Sequence, residues 1–292
     1  MNTHKFKKLS FILLIFLFAI GCSEILVRYK GAIDFPIYDA NSVIGYIPTA
    51  NQKGIFLNKN NWQFNALHMG APEFFPTSAS DILLVGDSIV LGGNPLDQSE
   101  RLGAQLQNAT SKSIWPISAG SWSLLNELAY LRSNPEVVQQ IDSIIFVLNS
   151  GDFVEASSWK CELTHPRHKP TLALWYLFNK YVYSFETCDV VPEGLQVPPG
   201  NVWDELADFL KTTKLKPLYI IYPDKSESLD AELRNKNFTP NLTKLSSMQG
   251  KIILVADDKR WQANYYRDVI HPSAEGNAVL AKIIADGIKA TN

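Results

Sequence analysis

The chain has 292 residues, 46% of them hydrophobic and 19% charged, with a formal net charge of −2. That is enough apolar material for one substantial α/β core with a small appendage. The basic residues are scattered, so no electrostatic footprint for nucleic acid is present and none is expected as a partner.

The first thirty residues form a segment of their own. Lys5, Lys7 and Lys8 precede an unbroken apolar run from Phe11 to Ile20, followed by Gly21-Cys22-Ser23. A basic start, a short apolar stretch and small residues ahead of a cysteine describe an export signal. The run is shorter than the roughly 17 residues a transmembrane helix needs. Ala19-Ile20-Gly21-Cys22 has the form of a lipobox with Ala in place of the stronger Leu, which makes Cys22 the lipidation site. The competing reading is an uncleaved anchor continuing through Ile25, Leu26 and Val27, which Glu24 interrupts. Both readings place the remainder in the cell envelope, on the periplasmic side, with a membrane as the partner of the N-terminus. With Cys22 carrying lipid, Cys161 and Cys188 remain, and an oxidising compartment lets them pair as a disulfide. The alternative is two free buried thiols.

Residues 31–80 are rich in Asn, Pro, Gly and aromatics and show no sustained helical period. Gly45-Tyr46-Ile47-Pro48 and Ile55-Phe56-Leu57 read as short strands of a small β-like lead-in, with no chemistry of its own. The main domain spans 81–292. Ile82-Leu83-Leu84-Val85 and Ile144 to Leu148 are wholly apolar runs, and these two with Ser113 to Ile117, Leu218 to Tyr222 and Lys251 to Val255 are expected as strands. Helices are expected over Arg101–Gln107, Leu124–Arg132, Asn201–Lys211 and Ser273–Ile288. An insertion occupies about 150–200. Continuous apolar strands alternating with helices predict an α/β fold with a parallel sheet covered on both faces. In such sheets ligands bind beyond the carboxyl ends of the strands.

Two strand-end features carry chemistry. Gly86-Asp87-Ser88 follows the first apolar strand, so Ser88 sits on a tight turn with its hydroxyl free. A hydroxyl attacks only when an adjacent base takes its proton; the plain alternative is that Asp87 or Ser88 caps the next helix. Asp268-Val269-Ile270-His271-Pro272 precedes the last helix, and an Asp three residues before a His can orient and polarise the imidazole.

Gly86-Asp87-Ser88 with Asp268-x-x-His271 resembles the SGNH/GDSL hydrolase superfamily over about residues 81–288. Glu24 and Arg28, ahead of a small β region, are similar to the lead-in of its membrane-anchored members. The resemblance implies a flavodoxin-like three-layer α/β/α sandwich with a central parallel sheet. It also implies Ser88 as nucleophile, His271 as general base then acid, and Asp268 as the residue orienting His271. An oxyanion hole would comprise the Ser88 N–H, the Gly120 N–H (or Ser121 with a shift of one) and an Asn side chain after the third strand. The family has Asn directly before Asp there. This chain has Gly151 before Asp152, with Asn149 three residues ahead, so either Asn149 donates from a remodelled loop or the third donor is missing.

Other features have two readings. Gly92-Gly93-Asn94-Pro95 shapes an acyl pocket or is a plain loop, and it lacks the Lys-Ser/Thr of a phosphate loop. Trp159, His165, Arg167, His168, Trp175 and Tyr176 form a lid or sugar-binding wall, or a surface excursion closed by Cys161 and Cys188. Pro166 separates His165 from His168 and no acidic or Cys cluster completes a site, so no metal and no cofactor are expected. The functional expectation is a serine esterase removing acyl groups, first of all acetyl, from an envelope glycan or other small ester. The alternatives are an O-acyltransferase acetylating an envelope polysaccharide and a non-catalytic carbohydrate-binding protein of the same fold. Oligomeric state is not indicated.

Overall fold

The computed structural model describes residues 3–76 and 80–290. The extreme ends of the expected 1–30 and 81–292 segments, and residues 77–79 of the lead-in, lie outside the described residues. The apolar N-terminal run is part of a longer helix, α1 (Thr3–Tyr29). Its stretch Lys7–Tyr29 is long and apolar enough by length and composition to cross a bilayer. Glu24 does not break it. The carboxylate pairs with Arg28 one turn on, at 2.7 Å, and accepts the Ala173 and Leu174 N–H groups at 2.8 and 2.9 Å. A charge satisfied in this way is compatible with continued helix.

The lead-in is two antiparallel hairpins, β1 (Tyr38–Asn41) with β2 (Gly45–Pro48), and β3 (Gln52–Phe56) with β4 (Asn60–Phe64). The strand expected at Ile55–Leu57 begins at Gln52, because Leu57 and Asn58 adopt left-handed φ values of 53° to make the turn.

The central sheet contains β5 (Asp81–Gly86), β6 (Ser113–Ser118), β7 (Ser143–Leu148), β8 (Leu218–Ile221) and β9 (Lys251–Leu254), all parallel, in the order β6-β5-β7-β8-β9. Order reverses at β5, so the crevice beyond β5, between its neighbours β6 and β7, is the switch point where ligands bind. Helices α2 (Ser88–Leu91), α3 (Leu102–Thr110), α4 (Leu124–Ser133), α5 (Pro135–Gln140), α6 (Ala173–Tyr181), α7 (Val202–Thr212), α8 (Lys225–Leu229), α9 (Ala231–Ser246) and α10 (Ala274–Lys289) complete the chain. Strand periodicity divides the core into two layers. Leu83, Val85, Phe146, Tyr219 and Ile221 pack with Leu128, Leu206, Phe238 and Leu245 on one face. Ile82, Leu84, Ile145, Val147 and Ile220 pack with Leu106, Leu280 and Ile284 on the other. The fold is the expected three-layer α/β/α sandwich.

Helix α9 is not legible in the sequence, since Pro240 lies inside it and proline ordinarily ends a helical run. Its buried Phe238 and Leu245, with Leu242, supply the apolar side. The chain between β7 and α7 contains α6 and one disulfide, Cys161–Cys188, with Cα atoms 5.3 Å apart. Cys22 is a free, exposed thiol in α1.

Candidate active site

Ser88 stands where β5 turns into α2. The strand is buried throughout and ends at Gly86, where a Cβ would lie 2.5 Å from Val90 Cγ2 and 3.2 Å from the Val147 carbonyl. Only glycine lets α2 fold back so closely. Asp87 caps α2 by accepting the Ile89 N–H at 2.8 Å, which leaves the Ser88 hydroxyl at the surface of the crevice. The helix-cap alternative and the nucleophile reading are therefore carried by different residues.

The chain before α10 is tied down at several points. The Asp268 carboxylate accepts the backbone N–H groups of Ile270 and His271 at 3.0 and 2.8 Å. The His271 carbonyl accepts from Arg267 N–H at 2.9 Å, and Tyr222 Oη donates to the Ile270 carbonyl at 2.8 Å. Ser273 then caps α10 through the Gly276 N–H. This turn presents His271 Nδ1 to both Asp268 oxygens, at 3.0 and 2.9 Å. His271 Nε2 lies 2.9 Å from Ser88 Oγ, across 183 residues of sequence. With Nδ1–H donated to the carboxylate, Nε2 has its lone pair free for the serine proton. Burial pushes the Asp268 carboxyl up, but the His271 and Ile270 N–H groups and the imidazole outweigh it and hold it below the usual range. Asp268 is thus an anion at neutral pH.

Gly120 follows β6 at the neighbouring strand end. Its carbonyl accepts from Tyr46 Oη at 2.8 Å and His165 Nε2 at 3.1 Å. Burial pushes His165 down to about 4, so its imidazole is neutral at pH 7 and donates from Nε2. The next residue, Ser121, adopts a left-handed φ of 61°. Trp122 Nε1 anchors the loop on the Tyr46 carbonyl at 2.6 Å. The lead-in, expected to lack chemistry, therefore braces a strand end of the site. Gly45 permits this contact: its φ is +87°, and a Cβ there would collide with the Ser157 carbonyl.

Asn149 follows β7 and is 6% exposed. Its side-chain NH2 donates to Asp87 Oδ2 at 3.1 Å and to Asp152 Oδ1 at 3.0 Å. Its own Oδ1 accepts the Gly151 N–H at 2.7 Å. Asp152 in turn accepts the Asn149 backbone N–H at 2.7 Å. The altered spacing thus closes the loop on itself, with Asn149 joined to the residue beside Ser88. Both amide hydrogens go to carboxylates in this arrangement. Donation to a third acceptor needs one of them to be exchanged.

Behind the site lie three carboxyl groups that the sequence did not single out in this role. Asp87, Asp152 and Glu127 of α4 are all buried, and neither Glu127 oxygen has a hydrogen-bond partner. Burial raises Asp87 to about 6 and lifts Glu127 and Asp152 well above the carboxylate range; mutual repulsion adds to the last two. Burial without a partner thus favours the neutral form of Glu127. No motif announces Glu127: it reads as one polar position in an amphipathic helix until α4 is docked.

The residues between β7 and α7 divide. Trp159 and Tyr176 are buried and His165 is half-buried against the Tyr46 ring, with the Arg167 guanidinium 4.1 Å over the Trp159 ring, so they do not form an open sugar wall. Trp175 is 53% exposed. Among the described residues, Cys161, Glu186 and Cys188 bring possible metal ligands within 4.8 Å of one another, but the disulfide uses both thiols.

No family model matches the chain, and no curated protein matches it. Solved structures resemble it at low identity. A carbohydrate acetylesterase from Sinorhizobium meliloti is 16% identical over 73% of this chain and 100% of its own, with a TM-score of 0.42. A family two carbohydrate esterase from Clostridium thermocellum, solved with cellohexaose, is 11% identical over 76% of this chain and 66% of its own, with a TM-score of 0.44. A member of the lipolytic G-D-S-L family from Veillonella parvula is 13% identical over 72% of this chain and 99% of its own, with a TM-score of 0.42.

Proposed function

We propose that the chain is a serine ester hydrolase of the SGNH/GDSL superfamily, exported to the cell envelope and held at a membrane by α1 or by lipid on Cys22. The observation that carries the chemistry is the continuous chain Ser88 Oγ to His271 Nε2 at 2.9 Å and His271 Nδ1 to Asp268 at 2.9 Å. His271 takes the serine proton as Oγ attacks the ester carbonyl, and Asp268 stabilises the imidazolium that forms. The protonated His271 then delivers its proton to the leaving alcohol oxygen, which departs and leaves an acyl-Ser88 ester. Water, deprotonated by His271, attacks that ester, and His271 returns the proton to Ser88 Oγ as the C–Oγ bond breaks, releasing the carboxylic acid and restoring the free serine.

The oxyanion is assigned to the N–H groups of Ser88 and Gly120 and to the Asn149 amide, released from one of its carboxylates. Hydrolysis is favoured over transfer because the site is open: the Asp268 side chain is 45% exposed and that of His271 27%, so water reaches the acyl-enzyme. The substrate class is an acylated, first of all acetylated, envelope glycan or small ester.

The test is turnover of p-nitrophenyl acetate by the full chain. Ser88→Ala is expected to lower kcat/KM by at least ~10³-fold. Equal rates for the two proteins would leave a carbohydrate-binding protein as the reading. An acyl donor supplied with an oligosaccharide acceptor, followed by mass spectrometry of the sugar, separates the hydrolase from an O-acyltransferase.

A further inference from the structure

Helix α6 has two apolar faces. The inner one, Ala173 and Tyr176 with Leu177, packs against Ile33, Phe35 and Val27. The outer one has no protein partner among the described residues, yet it is not polar. Leu172, Trp175, Phe178, Tyr181, Val182 and Phe185 are 41–71% exposed. The rings are in mutual contact, Trp175 stacking on Phe185 at 5.2 Å and on Phe178 at 6.2 Å, with Tyr183 edge-on to Phe185 at 4.8 Å. α6 contains no acidic residue. A contiguous exposed patch of this kind marks an interaction surface.

Its position identifies the partner. The α6 N-terminus is fastened to the end of α1: Glu24 accepts the Ala173 and Leu174 N–H groups, and Arg28 donates to the Pro170 and Thr171 carbonyls at 3.2 and 2.6 Å. Neighbouring α1 residues Ile20, Ile25 and Leu26 are 43–70% exposed. The apolar surface of the candidate membrane span therefore lies beside the ring stack, joined to it through the Glu24–Arg28 pair, and Cys161–Cys188 closes the loop that carries α6. Trp and Tyr concentrate at bilayer interfaces, where the ring is buried and its polar atom meets the headgroups.

We infer that the outer face of α6, with the 182–185 segment, docks into the interface of a lipid bilayer beside α1, as a second membrane contact. This rests on the reading of α1, or lipidated Cys22, as membrane-held, and is independent of the catalytic reading.

The experiment uses the full chain reconstituted into phosphatidylethanolamine–phosphatidylglycerol vesicles, with and without brominated acyl chains, which quench tryptophan on contact. Of the seven tryptophans Trp175 is the most exposed, at 53%; Trp203 is half-buried and the other five are buried. Brominated lipid is expected to quench part of the emission of the wild type, and Trp175→Phe to remove that part while ester turnover is retained. Quenching that is equal in both proteins, with the chain still pelleting with vesicles, overturns the docking and spares the anchor. A chain that fails to pellet, with Trp175 unquenched, overturns both. Chemical crosslinking to dimers that Trp175→Ser/Phe178→Ser abolishes would assign the face to a second copy instead, and also overturns it.

Discussion

Asp268 and His271 belong to one short turn, and three residues of spacing are enough to place a carboxylate against Nδ1, since the carboxylate also holds the backbone of that turn. That part of the site is local, and so was readable. Asp268→Asn is expected to leave the fold intact and reduce kcat roughly 10²–10⁴-fold, because the amide no longer favours the productive tautomer; circular dichroism beside ester kinetics checks both halves. Asn149→Ala is expected to lower kcat roughly 10²-fold with KM little changed, the signature of a lost oxyanion donor. Its bond to Asp152 is local, but its bond to Asp87 joins two different strand ends, 62 residues apart, so no one-dimensional spacing could have shown that one. Glycine and aspartate at 151 and 152 registered only as a departure from a familiar pattern; the tertiary contacts give that departure its content.

At the level of elements, the strands were legible because each has an apolar stretch, buried on both faces in all but the half-buried edge strand β9, and their limits moved by no more than a residue or two. Helix α9 was not, since Pro240 masks its period. The bracing of Gly120 is also a property of elements: β2 supplies Tyr46 and the segment after β7 supplies His165. Both Tyr46→Phe and His165→Ala should reduce kcat more than they raise KM, through a misplaced Gly120 rather than lost substrate contact; steady-state kinetics with two acyl esters tests this. The disulfide closes a separation of 27 residues. Replacing both cysteines by serine should cost about 3–4 kcal/mol by the loop-entropy argument, read as a lower chemical denaturation midpoint and as new protease cleavage between 161 and 188.

For the whole molecule, the buried carboxyl cluster sets a pH dependence. Burial raises Glu127, so the folded chain retains a proton that the unfolded chain releases in the ordinary carboxyl range. Stability from this group is complete below that range and is lost as pH rises towards the raised value. Glu127→Gln removes the titration while keeping the shape. It is therefore expected to raise Tm more at pH 8 than at pH 4.5, and thermal melts at the two values decide it; an equal effect at both would mean Glu127 is paired and ionised. The cluster lies under the switch point of the sheet, where the burial that makes the fold cohere also isolates polar groups from water.

By itself the sequence determined the alternation of apolar strands and amphipathic helices, the tight turn at Ser88, the coupling of Asp268 to His271 and the apolar N-terminal run. These depend on hydrophobic period and on bonds within a few residues. Only the tertiary structure decided that His271 reaches Ser88, that Cys161 and Cys188 are bonded, that the lead-in holds Gly120 and that Glu127 is buried without a partner. Each of these is a meeting of segments distant in the chain. Their approach is set by the sheet order and by which side chains the packed layers exclude from water, quantities that no local pattern contains.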